Sequence, residues 1–260
     1  MRFKLFDYKE LSCYENMAID ETLLGSLDED SLPIIRFYGW KSSITIGKYT
    51  DINGLVDLNK IKESGIQYTR RITGGGILTH HIDLSYSIFL PKKYIKDRGI
   101  KENYRYLCSF LINLYKKLGL DARFANELNI KAIKSDICLA GIEEYDIVID
   151  DKKIGGNAQR YTKRGILQHG SIPVWIDKDL FEPIFLKTTG IENSMNLKQI
   201  GINISFEELI ELAKKSFKKT FNIDYIKSEL NISQKEEVKR LIKNKYSHDS
   251  WNIKRVENVK

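Results

Sequence analysis

Hydrophobic residues recur along this chain with two periods, that of a strand and that of a helix. "PIIRFYGW" (33–40) and "SSITIGKY" (42–49) read as two strands separated by a turn through Gly39 to Ser42. "GIQYTRRI" (65–72), "DLSYSIFL" (83–90) and "GILQHGSIPVWI" (165–176) predict three more. "YDIVIDDKKIGGNAQRY" (145–161) alternates and breaks at Asp150–Asp151–Lys152, the pattern of a β-hairpin. Helical spacing appears in "ENMAIDETLLGSL" (15–27), with Met17, Leu23, Leu24 and Leu27 expected to be buried. It returns in "NYRYLCSFLINLYKKLGL" (103–120), through Leu107, Phe110, Leu111, Leu114 and Leu118, with Gly119 placed to end the helix.

After about residue 203 the character is helical. "SFEELIELAKKSFKKTF" opens with a Ser205-to-Glu208 capping box and carries apolar positions at Phe206, Leu209, Ile210, Ala213 and Phe217. "SQKEEVKRLIKNKY" reads as a second such box from Ser233 to Glu236. No internal repeat or low-complexity linker divides the chain. The expectation is an α+β fold in one domain over 1–260: a core at about 30–220 with a C-terminal helical extension at about 203–260.

Composition changes this picture little. Hydrophobic residues at 42% and charged residues at 30% are ordinary for a soluble globular protein. The net charge of +7 comes from scattered lysines, which suits a solvated surface and an acidic partner. No nucleic-acid motif accompanies it, so no nucleic-acid partner is expected. Cys13, Cys108 and Cys138 are far apart and have no zinc spacing, so neither a disulfide framework nor a metal is expected. "MRFKLFDYKELSCYENMAIDE" lacks the apolar core of a signal peptide, and no run is long enough to span a membrane. The expected setting is reduced, cytoplasmic and free of membrane.

Four stretches carry candidate chemistry. "RRITGGGILTHH" (70–81) puts Arg70 and Arg71 beside three glycines, where bare backbone N–H groups and guanidinium forks suit an anion or a carbonyl oxygen. A flexible hairpin with solvated arginines accounts for the same residues. The run lies between strands, which excludes the Rossmann and P-loop arrangements, since both need a helix directly after the glycines. "KKIGGNAQR" (152–160) offers a lysine beside a bare strand, or simply a lysine-rich turn. His169 in "LQHGSI" (167–172) faces a ligand or is a structural strand histidine. Cys138 in "SDICLAG" is an inert buried thiol unless a cation favours its thiolate.

In this order, "RRITGGGILTHH…LSYS", "KKIGGNAQ" and "LQHGSI" resemble the lipoate–protein ligase, octanoyltransferase and biotin–protein ligase superfamily. "NMAIDETLL", "RFYGW" and "KYSHDSWN" extend the resemblance over nearly the whole chain. It implies a mixed β-sheet flanked by helices, with a medium-chain acyl group between the glycine loop and the lysine strand. The substrate-binding set it implies is Arg70, Arg71, Thr73, Gly74, Gly75, Gly76, Ile77, His80, Gly155, Gly156, Asn157, Ala158, Gln159, His169 and Gly170.

Two chemistries occur in this superfamily. Ligases activate a free acid with ATP and magnesium. Octanoyltransferases move octanoate from acyl carrier protein through a cysteine to a lipoyl-domain lysine, and they need no metal or redox cofactor. "HHIDLSYS" has three residues between His80 and Leu84, fewer than the ligase pattern, and Cys138 stands seven residues before Tyr145. Both features are similar to one cysteine-dependent octanoyltransferase group. His81 stands where an aspartate is usual, and "CLAGIEEY" has no proline between cysteine and tyrosine. The resemblance implies Cys138 as nucleophile, Lys153 as catalytic lysine, acyl carrier protein as donor and a lipoyl-domain protein such as glycine-cleavage H protein as acceptor. An ATP-dependent lipoate ligase and a non-catalytic acyl-binding protein are the alternatives.

Overall fold

The computed structural model describes residues 1–95, 99–128, 130, 141–190 and 194–256. In chain order the strands are β1 (Arg2–Leu11), β2 (Ile34–Trp40), β3 (Ser43–Ile46), β4 (Gln67–Arg70), β5 (Ile77–His80), β6 (Ile82–Pro91) and β7 (Arg123–Phe124). They continue as β8 (Ile147–Ile149), β9 (Lys152–Ile154), β10 (Asn157–Tyr161), β11 (Gly165–Trp175), β12 (Ser194–Met195) and β13 (Asp224–Lys227). The helices are α1 (Cys13–Gly25), α2 (Leu58–Glu63), α3 (Ile100–Lys117), α4 (Lys178–Phe181), α5 (Phe206–Phe221), α6 (Ile232–Leu241) and α7 (Asp249–Asn252).

The main sheet runs β10–β11–β6–β2–β1–β13 and is mixed: β1 pairs parallel with β2 and β13, and the other neighbours are antiparallel. Because strand side chains alternate, it feeds two helical layers. Phe3, Leu5, Ile35, Phe37, Tyr86 and Ile88 pack with Leu107, Phe110 and Leu114 of α3 and Phe217 of α5. Ile34, Tyr38, Trp40, Phe89 and Leu167 take the opposite face, against Met17, Leu23 and Leu24 of α1 and Leu241 and Trp251 near the C-terminus. Every residue of β2 is buried, as a strand covered on both sides must be.

Two smaller sheets bring in the candidate stretches. In β4–β3–β5, β3 pairs parallel with β4 and antiparallel with β5, so residues 71–76 bridge the two outer strands. In β12–β9–β8–β7, β8 and β9 form the expected hairpin. Its turn is the two residues Asp150 and Asp151, with φ of 48° and 59°, the left-handed pair that a tight hairpin requires. Lys152 therefore begins β9 instead of belonging to the break.

Other expectations shift at element ends. β2 continues through Gly39 to Trp40, so the turn is only Lys41 and Ser42. Cys13 opens α1 instead of preceding it, because Ser12 and Glu15 make a reciprocal capping box. The Ser205–Glu208 box is present, whereas the one expected at Ser233–Glu236 is not. Asn231 caps α6 through Gln234 instead, two residues earlier. Asn231→Ala should therefore lower stability by about 1 kcal/mol, while Ser233→Ala should change it little. Urea unfolding of the two variants checks this.

Candidate active site

Strand alternation decides which lysine is inside. With the turn closed at Asp150–Asp151, Lys152 points to solvent and Lys153 inward, where only 6% of it is exposed. The Lys153 ammonium lies 2.7 Å from Asp146 Oδ2 and donates to the Gly141 carbonyl at 3.0 Å. Asp146 is itself buried, and its carboxylate accepts from the Glu143 amide at 2.8 Å. A buried charge needs such a partner. Lys153 and Asp146 stand in the wall of a cavity of about 220 Å³.

The opposite wall rests on the α1 side of the main sheet. Its register sets Arg36 of β2 beside Ser87 of β6, and Ser87 beside His169 of β11. All three converge on Asp20 of α1. Arg36 Nη1 lies 2.7 Å from Asp20 Oδ1, and Ser87 Oγ donates to Oδ2 at 2.8 Å. His169 Nδ1 is 3.1 Å from the same Oδ2, and its Nε2 is 2.7 Å from Thr73 Oγ1 in the glycine loop. A carboxylate only accepts, so neutral His169 carries its proton on Nδ1, and its Nε2 accepts a hydrogen bond from the Thr73 hydroxyl.

A second relay of the same kind lies alongside. His80 Nδ1 is 3.1 Å from Asp83 Oδ2, and its Nε2 is 2.9 Å from Thr45 Oγ1. The Trp40 indole stacks on the His80 ring at 3.9 Å and donates to Ser85 Oγ at 2.8 Å.

The paired arginines part company. Arg71 turns back on its own loop, its Nη2 reaching the Gly74 carbonyl at 2.8 Å and its Nη1 the Thr45 carbonyl at 3.0 Å. Arg70 is fully buried on the other side of β4, donating to the carbonyls of Gly47, Lys48, Thr50, Trp251 and Asn252. Burial, then the nearby Arg255 charge, lowers Arg70 to about 10, which still leaves it protonated at neutral pH. Trp251 Nε1 and Asn252 Oδ1 bond back to the Arg70 carbonyl and amide, at 2.8 and 2.9 Å. The C-terminal segment thus buttresses the loop from behind.

The lipoyl protein ligase A/B catalytic domain matches residues 12–218. The chain belongs to that family. Among its relatives, octanoyltransferase LipM of Bacillus cereus is 32% identical, with 92% of this chain and 94% of that protein covered. Octanoyltransferase LipM of Staphylococcus aureus is 34% identical, covering 92% and 93%. Of solved structures, a lipoate-protein ligase A bound with ATP superposes with a TM-score of 0.84 at 28% identity, over 97% of this chain and 99% of that one. A bi-partite lipoate protein ligase of Thermoplasma acidophilum gives 0.82 at 26%, over 99% and 98%. The mixed sheet flanked by helices is that of the lipoate-protein ligase catalytic domain.

Within this lipoyl ligase fold, the cavity gathers Arg71, Gly74, Gly75, His80, Lys153, Gly156, Asn157, Ala158, Gln159, His169 and Gly170 from the expected set. Five expected residues do not line it. Arg70 is spent on carbonyls, as described. Thr73 and Gly76 stand behind the lining, Thr73 bonded to His169 and Gly76 through its carbonyl to the Gly47 amide. Ile77 is buried in the small core of β3, β5 and α4. Gly155 has φ +75°, and an added Cβ would come within 2.1 Å of the Ser171 carbonyl, so it serves the crossing of two strands. Cys138 lies outside the described residues. Cys13 and Cys108 are fully buried, and burial pushes both thiols up, away from reactivity.

Sequence reasoning missed Asp20, Thr45, Asp83 and Asp146. Asp20 had a signal: it sits with Met17, Leu24 and Leu27 on the stripe expected to be buried, where an acid needs a partner. Among the described residues, no cluster of three or more His, Cys, Asp or Glu is arranged to hold a metal ion, and no helix is long and apolar enough to cross a membrane.

Burial holds His169 below its ordinary 6.5; Asp20 opposes this, while the nearby Arg71 and His80 reinforce it. Burial would push Asp20 up, but Arg36 and His169 outweigh it and hold it below 3.8. A depressed folded value means that the unfolded chain takes up the proton first. His169 therefore contributes stability that is complete above about 6.5 and is lost as pH falls through its folded value. The urea midpoint should drop from about pH 7 to about pH 5, and His169→Gln should flatten that drop.

Proposed function

We propose that this protein is an acyltransferase that moves an octanoyl group from acyl carrier protein to a lipoyl-domain lysine, with glycine-cleavage H protein as the acceptor. The observation that carries this reading is the buried Lys153–Asp146 pair in the wall of a narrow cavity edged by the glycine loop. The octanoyltransferase relatives support it. So does the cavity's size, below the roughly 300–1,000 Å³ of sites for drug-sized ligands and suited to one slim chain.

Cys138 is the nucleophile in this reading, on its spacing from Tyr145. It stands three residues before Gly141, whose carbonyl accepts from Lys153. A thiol of ordinary pKa, roughly 8.5, needs a cationic neighbour to supply thiolate at neutral pH, and Lys153 is that cation. The Cys138 sulfur attacks the donor thioester carbon. A C–S bond forms, and the tetrahedral oxyanion collapses as the bond to the carrier's sulfur breaks and that sulfur leaves, taking the proton that Cys138 gave up. The acceptor amine then attacks the acyl-cysteine: a C–N bond forms, the C–S bond breaks, and the amine's proton goes to the departing thiolate. N–H groups of the glycine loop and of Gly156, which lines the cavity, stabilise both oxyanions. As written, the reaction balances without a metal or redox cofactor, and it suits a cytoplasmic protein.

The second reading is an ATP-dependent lipoate ligase, favoured by the superposition on a ligase bound with ATP. There Arg71 and Lys153 contact carboxylate and phosphate, and Cys138 is incidental. It predicts ATP–pyrophosphate exchange stimulated by lipoate. A non-catalytic acyl-binding protein would bind octanoate without transferring it.

Mixing the protein with octanoyl carrier protein and no ATP should give an octanoyl adduct by intact mass, released by hydroxylamine. Cys138→Ser should form none, while Cys108→Ala should form it normally. An active Cys138→Ser variant that requires ATP and free lipoate would replace the transferase by the ligase. Lys153→Ala should cost roughly 100-fold or more in transfer rate, and Lys152→Ala less than about threefold. Equal losses would contradict the placement of Lys153 as the catalytic lysine.

A further inference from the structure

One peptide group of the glycine loop is locked from behind. The Gly74 carbonyl accepts from Arg71 twice, from Nη2 at 2.8 Å and Nε at 3.2 Å. In a trans peptide the N–H points opposite to the C=O. With the Gly74 carbonyl turned to the guanidinium, the Gly75 N–H faces away from it, on a segment that lines the cavity. Among the described residues no protein acceptor meets that N–H. Gly75 holds φ at +92°, which fixes this orientation in a backbone that side-chain-bearing residues avoid.

A chain of buried groups holds Arg71 in turn. Its Nη1 donates to the carbonyl of Thr45 at 3.0 Å and to Oγ1 at 3.3 Å. Thr45 Oγ1 is 2.9 Å from His80 Nε2, and His80 Nδ1 is 3.1 Å from Asp83 Oδ2. Asp83 accepts further from Ser85 Oγ at 3.0 Å, and Trp40 covers the imidazole. Thr45, His80 and Asp83 are each no more than 5% exposed. The planar fork of Arg71 spans Thr45 and Gly74 together, which an ammonium could not do.

Building on the acyl transfer above, we propose that the Gly75 N–H is an oxyanion donor of that reaction, and that Arg71, Thr45, His80 and Asp83 are positioning residues that aim it. The attack of sulfur or amine on the acyl carbon turns its carbonyl oxygen into an oxyanion. A donor fixed beforehand stabilises that state more than the ground state, so its loss falls on kcat and spares KM.

The test is Thr45→Val, which removes the hydroxyl and keeps the branched shape. In transfer from octanoyl carrier protein to a lipoyl domain, kcat should fall roughly 10- to 100-fold with the donor KM unchanged. Thr45→Ser should return kcat to within about threefold of wild type. In 15N-glycine-labelled protein, the Gly75 amide signal should be displaced by Thr45→Val and restored by Thr45→Ser. If Thr45→Val does not fold, Arg71→Lys replaces it with the same expected losses. Wild-type kcat in the folded variant, or a kcat loss with the Gly75 signal unmoved, overturns the proposal. A wild-type protein that transfers no octanoyl group refutes the transfer reading; the Gly75 signal then still decides the positioning chain, displaced in its favour and unmoved against it.

Discussion

The site depends on one buried carboxylate. Asp20 sits on the face of α1 that packs into the sheet, where an unpaired charge would be prohibitive, and it is tolerable only because Arg36, Ser87 and His169 all reach it. Those three come from different strands and meet only if β2, β6 and β11 pair in a single register. The network therefore specifies the sheet as much as it stabilises it. A slip of one residue in any of the three strands would turn the polar group to the α3 side and leave Asp20 unpaired. Through His169 and Thr73 the same constraint reaches the glycine loop, so fold and site share one set of bonds.

Much of this was legible in the sequence because the relevant rules are local. Alternation lets only one of Lys152 and Lys153 face inward, and the resemblance names Lys153, the one the structure buries; three glycines between strands mark bare backbone, of which Gly74 and Gly75 line the cavity. The Ser205 capping box could be read because nothing competes for Glu208, whereas at α6 Asn231 reaches Gln234 first and displaces the box expected at Ser233. Other features were not legible because they are set by distant partners. Arg70 and Arg71 are chemically identical neighbours, and which one approaches the cavity is decided by carbonyls at 47–50 and 251–252. Gly155 and Gly156 look interchangeable until β11 passes within contact of the first. Asp146 declares itself only once the hairpin folds Lys153 onto it.

The likeness to a lipoate-protein ligase bound with ATP extends over 97% of this chain. The sheet, the two helical layers and the loop are a common frame, and fold alone does not set the reaction. The reaction is decided by the groups at the cavity wall, the buried Lys153–Asp146 pair among them.

The cage around Arg70 has a consequence for the order of events during synthesis. Its carbonyls come from residues 47–50 and from residues 251 and 252, the latter more than 180 positions beyond Arg70 in sequence. A nascent chain that has completed β11 already has five of the six strands of the main sheet, yet Arg70 then has only three of its five acceptor carbonyls. Until α7 is made, Arg70 lacks the carbonyls of Trp251 and Asn252, and the end of β4 that leads into the glycine loop lacks its backing. Contacts of such long sequence separation form late in folding as well. A chain interrupted before Trp251 would build the main sheet and lack the bonds that buttress the loop through Arg70.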